Sequence, residues 1–354
     1  MAEEFIPGLP DGVAMDCLVR VPSQWHGRMN RVCSGWRGAV RSAEFQRRRQ
    51  AVGAEEDVVL VVQPSAPPAG GAVSAVANLT TGEWRRVEGQ GPLPQFAQCA
   101  AAGDGRHVAV VGGWDPDTFC PTRDVRVLDV AAGAWHRGQP MPDSRTLFGC
   151  AGGGDGNVYV AGGHDDYKNA LRSAFAYCVE ADAWRALPDM SEERDEPQLV
   201  AVPGLGVVLA ASGYTTAAQG VFKNTAECYA GGGDAWTSEG HDAAAAAGTT
   251  CLASVRGSLW AVGAGNGGVR AWDVAARAWR GVADGPPGME ACAKAVGIGD
   301  GASVFVFGTV QADAALPGRR HAAWVMDAAT AAWRRVPVPP GFDGVVYSAA
   351  VLRV

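Results

Sequence analysis

Six tryptophans recur along most of this chain. Trp84, Trp135, Trp184, Trp236, Trp279 and Trp333 are separated by 51, 49, 52, 43 and 54 residues. A repeat of that length is one supersecondary unit that cannot cover its own apolar faces, so several copies must stack into a single body. The clearest copy runs from Phe148 to Trp184. It reads as an apolar strand ending in small residues, the turn Gly154-Asp155-Gly156, an alternating strand through Val158, Tyr159 and Val160, the pair Gly162-Gly163, a polar loop, and two strands closing on Trp184. In four copies Asn or Asp stands six residues before the Trp: Asn78, Asp129, Asp273 and Asp327. The side chain bonds its own backbone in the turn between two outer strands, and the indole is expected to fill space against the next unit. Cys178 and Ala230 break this pattern.

The glycine pair is clear at Gly112-Gly113 and Gly162-Gly163, decays to Ser212-Gly213, Gly263-Ala264 and Phe307-Gly308, and is missing from the first copy. With these residues the chain resembles the kelch family from about Asp57 to the C-terminus. That resemblance implies an all-β propeller of six four-stranded blades. No repeat-like segment precedes Asp57, so the first blade lacks an innermost strand, and the tail from Gly344 to Val354 reads as one with nothing after it. A tail strand in the first blade would close the ring and remove two exposed edges.

Forty-eight glycines suit many turns, and a net charge of −7 argues against a nucleic-acid binder. The charge is uneven: residues 1–50 carry eight Arg against five acidic residues, leaving −10 on the remainder. Nine cysteines without a Cys-x-x-Cys pair favour neither a disulfide framework nor a zinc ribbon. Cys99, Cys150 and Cys251 stand at one distance from the hairpin glycine and are expected at one place on the innermost strand, as small buried hydrophobes. No signal peptide or membrane-length apolar run is present, so a soluble protein of the cytoplasm and/or nucleus is expected.

Residues 1–50 differ from the rest of the chain. Leu9-Pro10-Asp11 starts a helix carrying Val13, Cys17, Leu18 and Val21 at helical spacing until Pro22. Met29, Val32, Cys33 and Trp36 form a second apolar face, and a third short segment reaches Val40 and Phe45. So small and apolar a part is expected to dock onto a partner. In order and residue type it resembles the F-box, and an F-box followed by kelch repeats is a plant-type arrangement. The expected organisation is a helical F-box at 1–50, a short linker at 51–57 and the propeller at 58–354. The resemblance implies that Leu9, Pro10, Val13, Cys17, Leu18, Val21 and Pro22 face a Skp-type adaptor and, through it, a cullin, with Val32 and Trp36 completing the helical core. The run Arg47-Arg48-Arg49 reads as a solvated helix end.

No catalytic residues, metal ligands or cofactors are identified. The sequence GAGNGG at 263–268 matches a dinucleotide pattern, but a strand rather than a helix succeeds it. The six histidines show no ligand spacing, and His164-Asp165-Asp166-Tyr167 reads as a polar loop tip. What remains is recognition. The loops after the glycine pair, and those entering the next blade, supply Trp114, Asp115, Phe119, Arg123, Arg145, His164, Asp165, Asp166, Tyr167, Arg194, Tyr214, Arg319 and Arg320. Exposed aromatics and Arg are usual interface anchors, so these are the expected target-binding residues. The resemblance implies a non-catalytic substrate receptor of an SCF ubiquitin ligase. Similar plant-type proteins act on phenylalanine ammonia-lyase or on hormone-response regulators. Two alternatives stay open: a kelch-propeller enzyme or small-ligand binder with an unrelated helical N-terminus, and an adaptor-bound scaffold that delivers nothing for degradation.

Overall fold

The computed structural model describes residues 5–66, 70–89, 91–238, 250–265, 268–299, 301–310 and 320–354. Six four-stranded antiparallel sheets form the blades of a propeller. From the axis outward, blade 3 is Gly149–Gly152, Asn157–Ala161, Ala174–Cys178 and Ala183–Ala186. Blades 2, 4, 5 and 6 repeat this order from inner strands Gln98–Ala101, Gln198–Val202, Thr250–Val255 and Met289–Ile298. Blade 1 is mixed. Its inner strand is the tail, Ser348–Arg353, paired antiparallel with Asp57–Pro64 from Asp57 opposite Arg353 to Val62 opposite Ser348. The expected closure is therefore how the ring is made.

The repeat residues take their expected roles, with one change of direction. Asn78, Asp129, Asp273 and Asp327 each accept backbone N–H bonds two or three residues on, shaping the outer turn. In four blades the indole that follows bonds the preceding blade, not the next one. Trp184 Nε1 donates to Gln139 O, Trp236 to Pro188 O, Trp333 to Asp284 O and, across the closure, Trp84 to Pro337 O, at 2.8–3.0 Å. A Cβ on Gly162 (φ +69°) would collide with the Arg194 carbonyl, and the N–H of Gly163 donates to that carbonyl at 2.8 Å. The glycine pair is thus the place where the segment entering the next blade crosses closely.

One expectation about the cysteines is corrected. Cys99 and Cys150 pair with Val110 and Val160 and pack toward the preceding blade. Cys251 packs the other way, toward blade 6. The difference lies in the blade face and not in the register, because Cys99 opposite Val110 and Cys251 opposite Val262 stand at the same distances from their turn glycines.

Four helices precede the propeller: α1 (Asp11–Leu18), α2 (His26–Met29), α3 (Ser34–Val40) and α4 (Ala43–Ala51). The second apolar face spans a break rather than one helix. Cys33 caps α3 by accepting from Trp36 N, and Ser42 Oγ caps α4 by accepting from Phe45 N at 3.1 Å. Met15, Leu18, Val19, Met29, Ala39, Val40 and Phe45 pack together, and Ala131 of blade 2 completes this core. The helical part is therefore docked on its own propeller. Arg49 joins the two and is not a solvated helix end. Its fully buried guanidinium donates to the carbonyls of Val19 (2.7 Å), Val21 (2.8 Å), Ala54 and the terminal Val354 (3.3 Å), with Glu56 at 3.8 Å. Glu56 and Val354 exchange backbone bonds at 2.8 and 3.1 Å, so the connection between helices and ring is pinned by the same strand that closes the ring.

Deleting residues 345–354 removes both functions at once. The expected result is a melting temperature lower by roughly 10 °C or more, measured by circular dichroism; an unchanged value would contradict the closure. The helical core makes a second prediction through His26, buried against Phe45 with a ring nitrogen 3.1 Å from Val21 O. Burial first, then the Arg49 charge, lowers its pKa from 6.5 to about 4. The unfolded chain therefore takes up this proton first as pH falls. The stabilisation from a neutral His26 is intact above pH 6.5 and lost between 6.5 and 4, about 2 kcal/mol by pH 5. Urea unfolding of wild type against His26→Gln at pH 7.5 and 5 reads this difference, and parallel pH dependences would contradict it.

Candidate functional site

In an antiparallel meander the chain reverses at every turn, so first–second and third–fourth turns lie at one end of the blade and second–third loops at the other. The helical part docks on the third–fourth turn of blade 2: Asn30 Nδ2 donates to Ala131 O at 2.5 Å, and Gly27 lies beside Ala132 and Gly133. The loops of the expected target-binding residues are second–third loops and blade-entry segments. They occupy the opposite face.

On that face Trp114, His164 and Tyr214 hold one repeat position, bridged respectively to Gln95, Thr146 and Asp195 of the blade-entry segments. The position runs from blade to blade as an arc. Tyr347 lies 4.7 Å from Phe96, Phe96 5.5 Å from Trp114, and Trp114 6.2 Å edge-on to His164 (ring centroids). His164 Nδ1 is 2.8 Å from Asp195 Oδ2, and the Tyr214 hydroxyl donates to Glu196 at 3.1 Å. His164 and Tyr214 are buried, so they support the arc rather than protrude from it. Asp115 and Asp165 accept backbone N–H bonds from Asp117 and Thr118, and from Tyr167 and Asn169, shaping the tips. Beyond them Phe119 is 69% and Tyr167 86% exposed, and Asp166 and Arg123 also face solvent. Sequence reasoning missed Phe96, Asp195, Glu196 and Tyr347, which sit in blade-entry segments with no motif of their own. It also missed the exposed pair Val221 and Phe222, the latter 5.3 Å from Tyr214. Arg319 and the side chain of Arg320 lie outside the described residues, as does the alanine run 243–247.

Two members of the expected set are corrected. Arg145 and Arg194 are 0% and 1% exposed. Each precedes its blade's inner strand and turns inward to bond loop carbonyls. Arg145 Nη1 donates to Gly162 O and Ser173 O, both at 3.1 Å, with the guanidinium over the Phe175 ring. Arg194 Nη1 donates to Ser212 O at 2.8 Å and Thr225 O at 3.1 Å, and its Nε and Nη2 reach buried Glu227 at 3.1 and 3.0 Å. Their own carbonyls accept from the preceding blade's glycine pair, Gly113 N to Arg145 O and Gly163 N to Arg194 O. Each arginine is a latch between blades, a role the fold requires.

The helical residues divide similarly. Pro10, Val13 (49%), Cys17, Pro22 and Val32 (60%) are exposed, Leu9, Val21 and Trp36 are half-buried, and Leu18 belongs to the core. Val32 is not a core residue, because it lies in the turn between α2 and α3. Trp36 Nε1 donates to Phe5 O at 2.5 Å. The helical part therefore keeps several apolar residues exposed beside its core.

The inner-strand thiols have no redox poise. Burial pushes Cys99 up to about 12 and Cys150 higher, which keeps both protonated. Among the described residues no group of three or more His, Cys, Asp or Glu could hold a metal, and no helix is long and apolar enough to cross a membrane.

Comparison with known proteins agrees with both parts. The Kelch motif family matches residues 145–191, which is blade 3 with its entering segment. The chain is 39% identical over 265 residues to F-box/kelch-repeat protein At2g44130 of Arabidopsis thaliana, covering 66% of this chain and 64% of that protein. It is 39% identical to F-box/kelch-repeat protein SKIP20, covering 64% of each, and 34% identical to F-box/kelch-repeat protein At1g15670, covering 73% of this chain and 77% of that protein, both of Arabidopsis thaliana. The match thus spans just under two thirds of the length of the first two relatives.

The latch assignment predicts that Arg194→Ala, which strands the buried Glu227 carboxylate, costs about 3–5 kcal/mol. Arg145→Ala leaves Gly162 O without its donor and Ser173 O with Gly162 N alone, and costs about 1–3 kcal/mol. Urea unfolding measures both, and native stability in either variant would contradict the latch.

Proposed function

This chain belongs to the F-box/kelch-repeat proteins, and on that premise we propose that it is the substrate-receptor subunit of an SCF (Skp-cullin-F-box) ubiquitin ligase. The F-box binds a Skp-type adaptor, and the propeller presents a target protein. The observation that carries this reading is that the helical part docks at one end of the propeller and the exposed loop aromatics lie at the other. Pro10, Val13, Cys17 and Val32 are exposed on the helical part, and Phe119, Tyr167 and Phe222 on loops of the far face.

The chain performs no bond chemistry in this reading. It holds a target lysine near the charged ubiquitin-conjugating enzyme, and the rate gain is that of proximity and orientation. Orientation is what Arg49 supports, by tying α1, the linker and the closing strand together. The complex operates in the cytoplasm or nucleus. Phenylalanine ammonia-lyase and a hormone-response regulator are the first targets to assay, beside those captured by proximity labelling under proteasome inhibition.

Two variants separate the surfaces. Val13→Asp with Val32→Asp places charge on two exposed apolar residues of the helical part and is expected to lower adaptor co-precipitation at least about tenfold with little change in melting temperature. Phe119→Ala, Tyr167→Ala and Phe222→Ala together leave adaptor recovery intact and abolish target capture. Equal adaptor recovery by the first variant would remove the F-box assignment.

A further inference from the structure

The propeller axis holds two cavities, of about 500 and 430 Å³. The smaller is lined by the first residues of five inner strands, Gln98, Gly149, Gln198, Thr250 and Ser348, and by Lys294 of the sixth. It therefore lies at the end of the axis where blades are entered, on the face away from the F-box. No Asp or Glu is among the described residues lining either cavity, although the chain carries 37 of them. Lys294 is the one charged residue among the described residues lining the smaller cavity.

Three features distinguish this lysine. It is one of only three in the chain, and Lys223, by contrast, pairs with Glu192 at 2.9 Å. No described residue forms an ion pair or hydrogen bond with its ammonium. The strand carrying it is also irregular. The pairing of Met289–Ile298 with Ser303–Val310 shifts twice, the second time between Cys292 and Lys294, where Ala293 is the extra residue. A bulge there re-aims the side chain next to it. The Lys294 charge is felt across the axis. Burial pushes the thiols of Cys99 and Cys150, two blades on the far side, upward, and the ammonium opposes that push. In the same belt Gln198 bonds Thr250 O and Leu252 N, and Ser348 bonds the Cys99 backbone, so each ties its blade to the next. A lysine cannot accept a hydrogen bond, and Lys294 makes no such tie.

We propose that this section of the channel is a binding site for a small organic monocarboxylate, whose charge pairs with Lys294. A volume of about 430 Å³ falls in the range of small-molecule pockets. Ala293, Val296 and Ala349 offer apolar surface for the ligand body, and Gln98 and Thr250 offer polar contacts. One ammonium matches one carboxylate, whereas a phosphate dianion would carry a second negative charge with no second cation among the described lining residues. The site is separate from the protein surfaces proposed above and stands or falls independently of them.

The test uses the full chain and saturation-transfer NMR with benzoate, 4-hydroxybenzoate, the neutral amide benzamide and, by competition, inorganic phosphate. Wild type is expected to bind at least one of the two carboxylates saturably with a Kd of about 1 mM or tighter. The same carboxylate should bind at least about tenfold weaker to Lys294→Gln and retain most of its affinity for Lys294→Arg. Benzamide should bind about tenfold weaker than benzoate, and phosphate should compete poorly. Equal affinity for benzamide and benzoate in wild type, no saturable binding of either carboxylate below about 10 mM, or undiminished binding to a folded Lys294→Gln would each overturn the site. Stronger competition by phosphate would overturn the carboxylate assignment. The benzamide comparison needs no variant, so it holds even if Lys294→Gln fails to fold.

Discussion

Everything in this molecule depends on how one blade is held to the one before it. A four-stranded sheet is apolar on both faces and stable only when both are covered, so the interfaces are the structure. The interfaces of blade 3 with blades 2 and 4 are fixed from two sides. At the outer turn an indole N–H crosses to a carbonyl of the preceding blade. Near the axis in blades 3 and 4 an arginine enters beneath its own blade's loop while its carbonyl receives the N–H of the preceding blade's glycine pair. The apolar clusters fill the space between, each shared by two neighbouring blades.

A ring built from pairwise interfaces needs one interface that the chain order does not supply. The tail strand supplies it, and the same strand ends at Val354, whose carbonyl accepts from Arg49. Ring closure and F-box placement are therefore coupled through a single buried cation. In the proposed receptor role, this coupling matters more than the strength of any one contact, because a flexible joint would spread a bound target over many positions.

Much of this fold is legible in the sequence, for a definite reason. Trp, the turn Asn or Asp and the glycine pair each satisfy a local geometric demand that no other residue meets as well, so they recur visibly. The arginines mislead for an equally definite reason. Arg145 and Arg194 sit in loops, and a sequence does not say whether a loop arginine turns outward to a partner or inward to carbonyls. Val32 and Arg49 depart from expectation in opposite directions: one apolar residue is exposed in a turn between helices, and one charged residue is buried where four carbonyls converge. Cys251 shows the smallest such failure, where a residue at the same distance from its turn glycine as Cys99 packs toward the other neighbouring blade.

The sequence by itself determined the repeat, its blade count, the closing tail and the helical preface, because these rest on periodicity and on local backbone chemistry. The tertiary structure alone decided which end of the propeller carries the F-box, which loop residues remain exposed opposite it, and that Lys294 stands in a channel without acidic residues among those described. Those facts depend on residues far apart in the chain arriving at one place, and proximity of that kind leaves no periodic trace in the sequence.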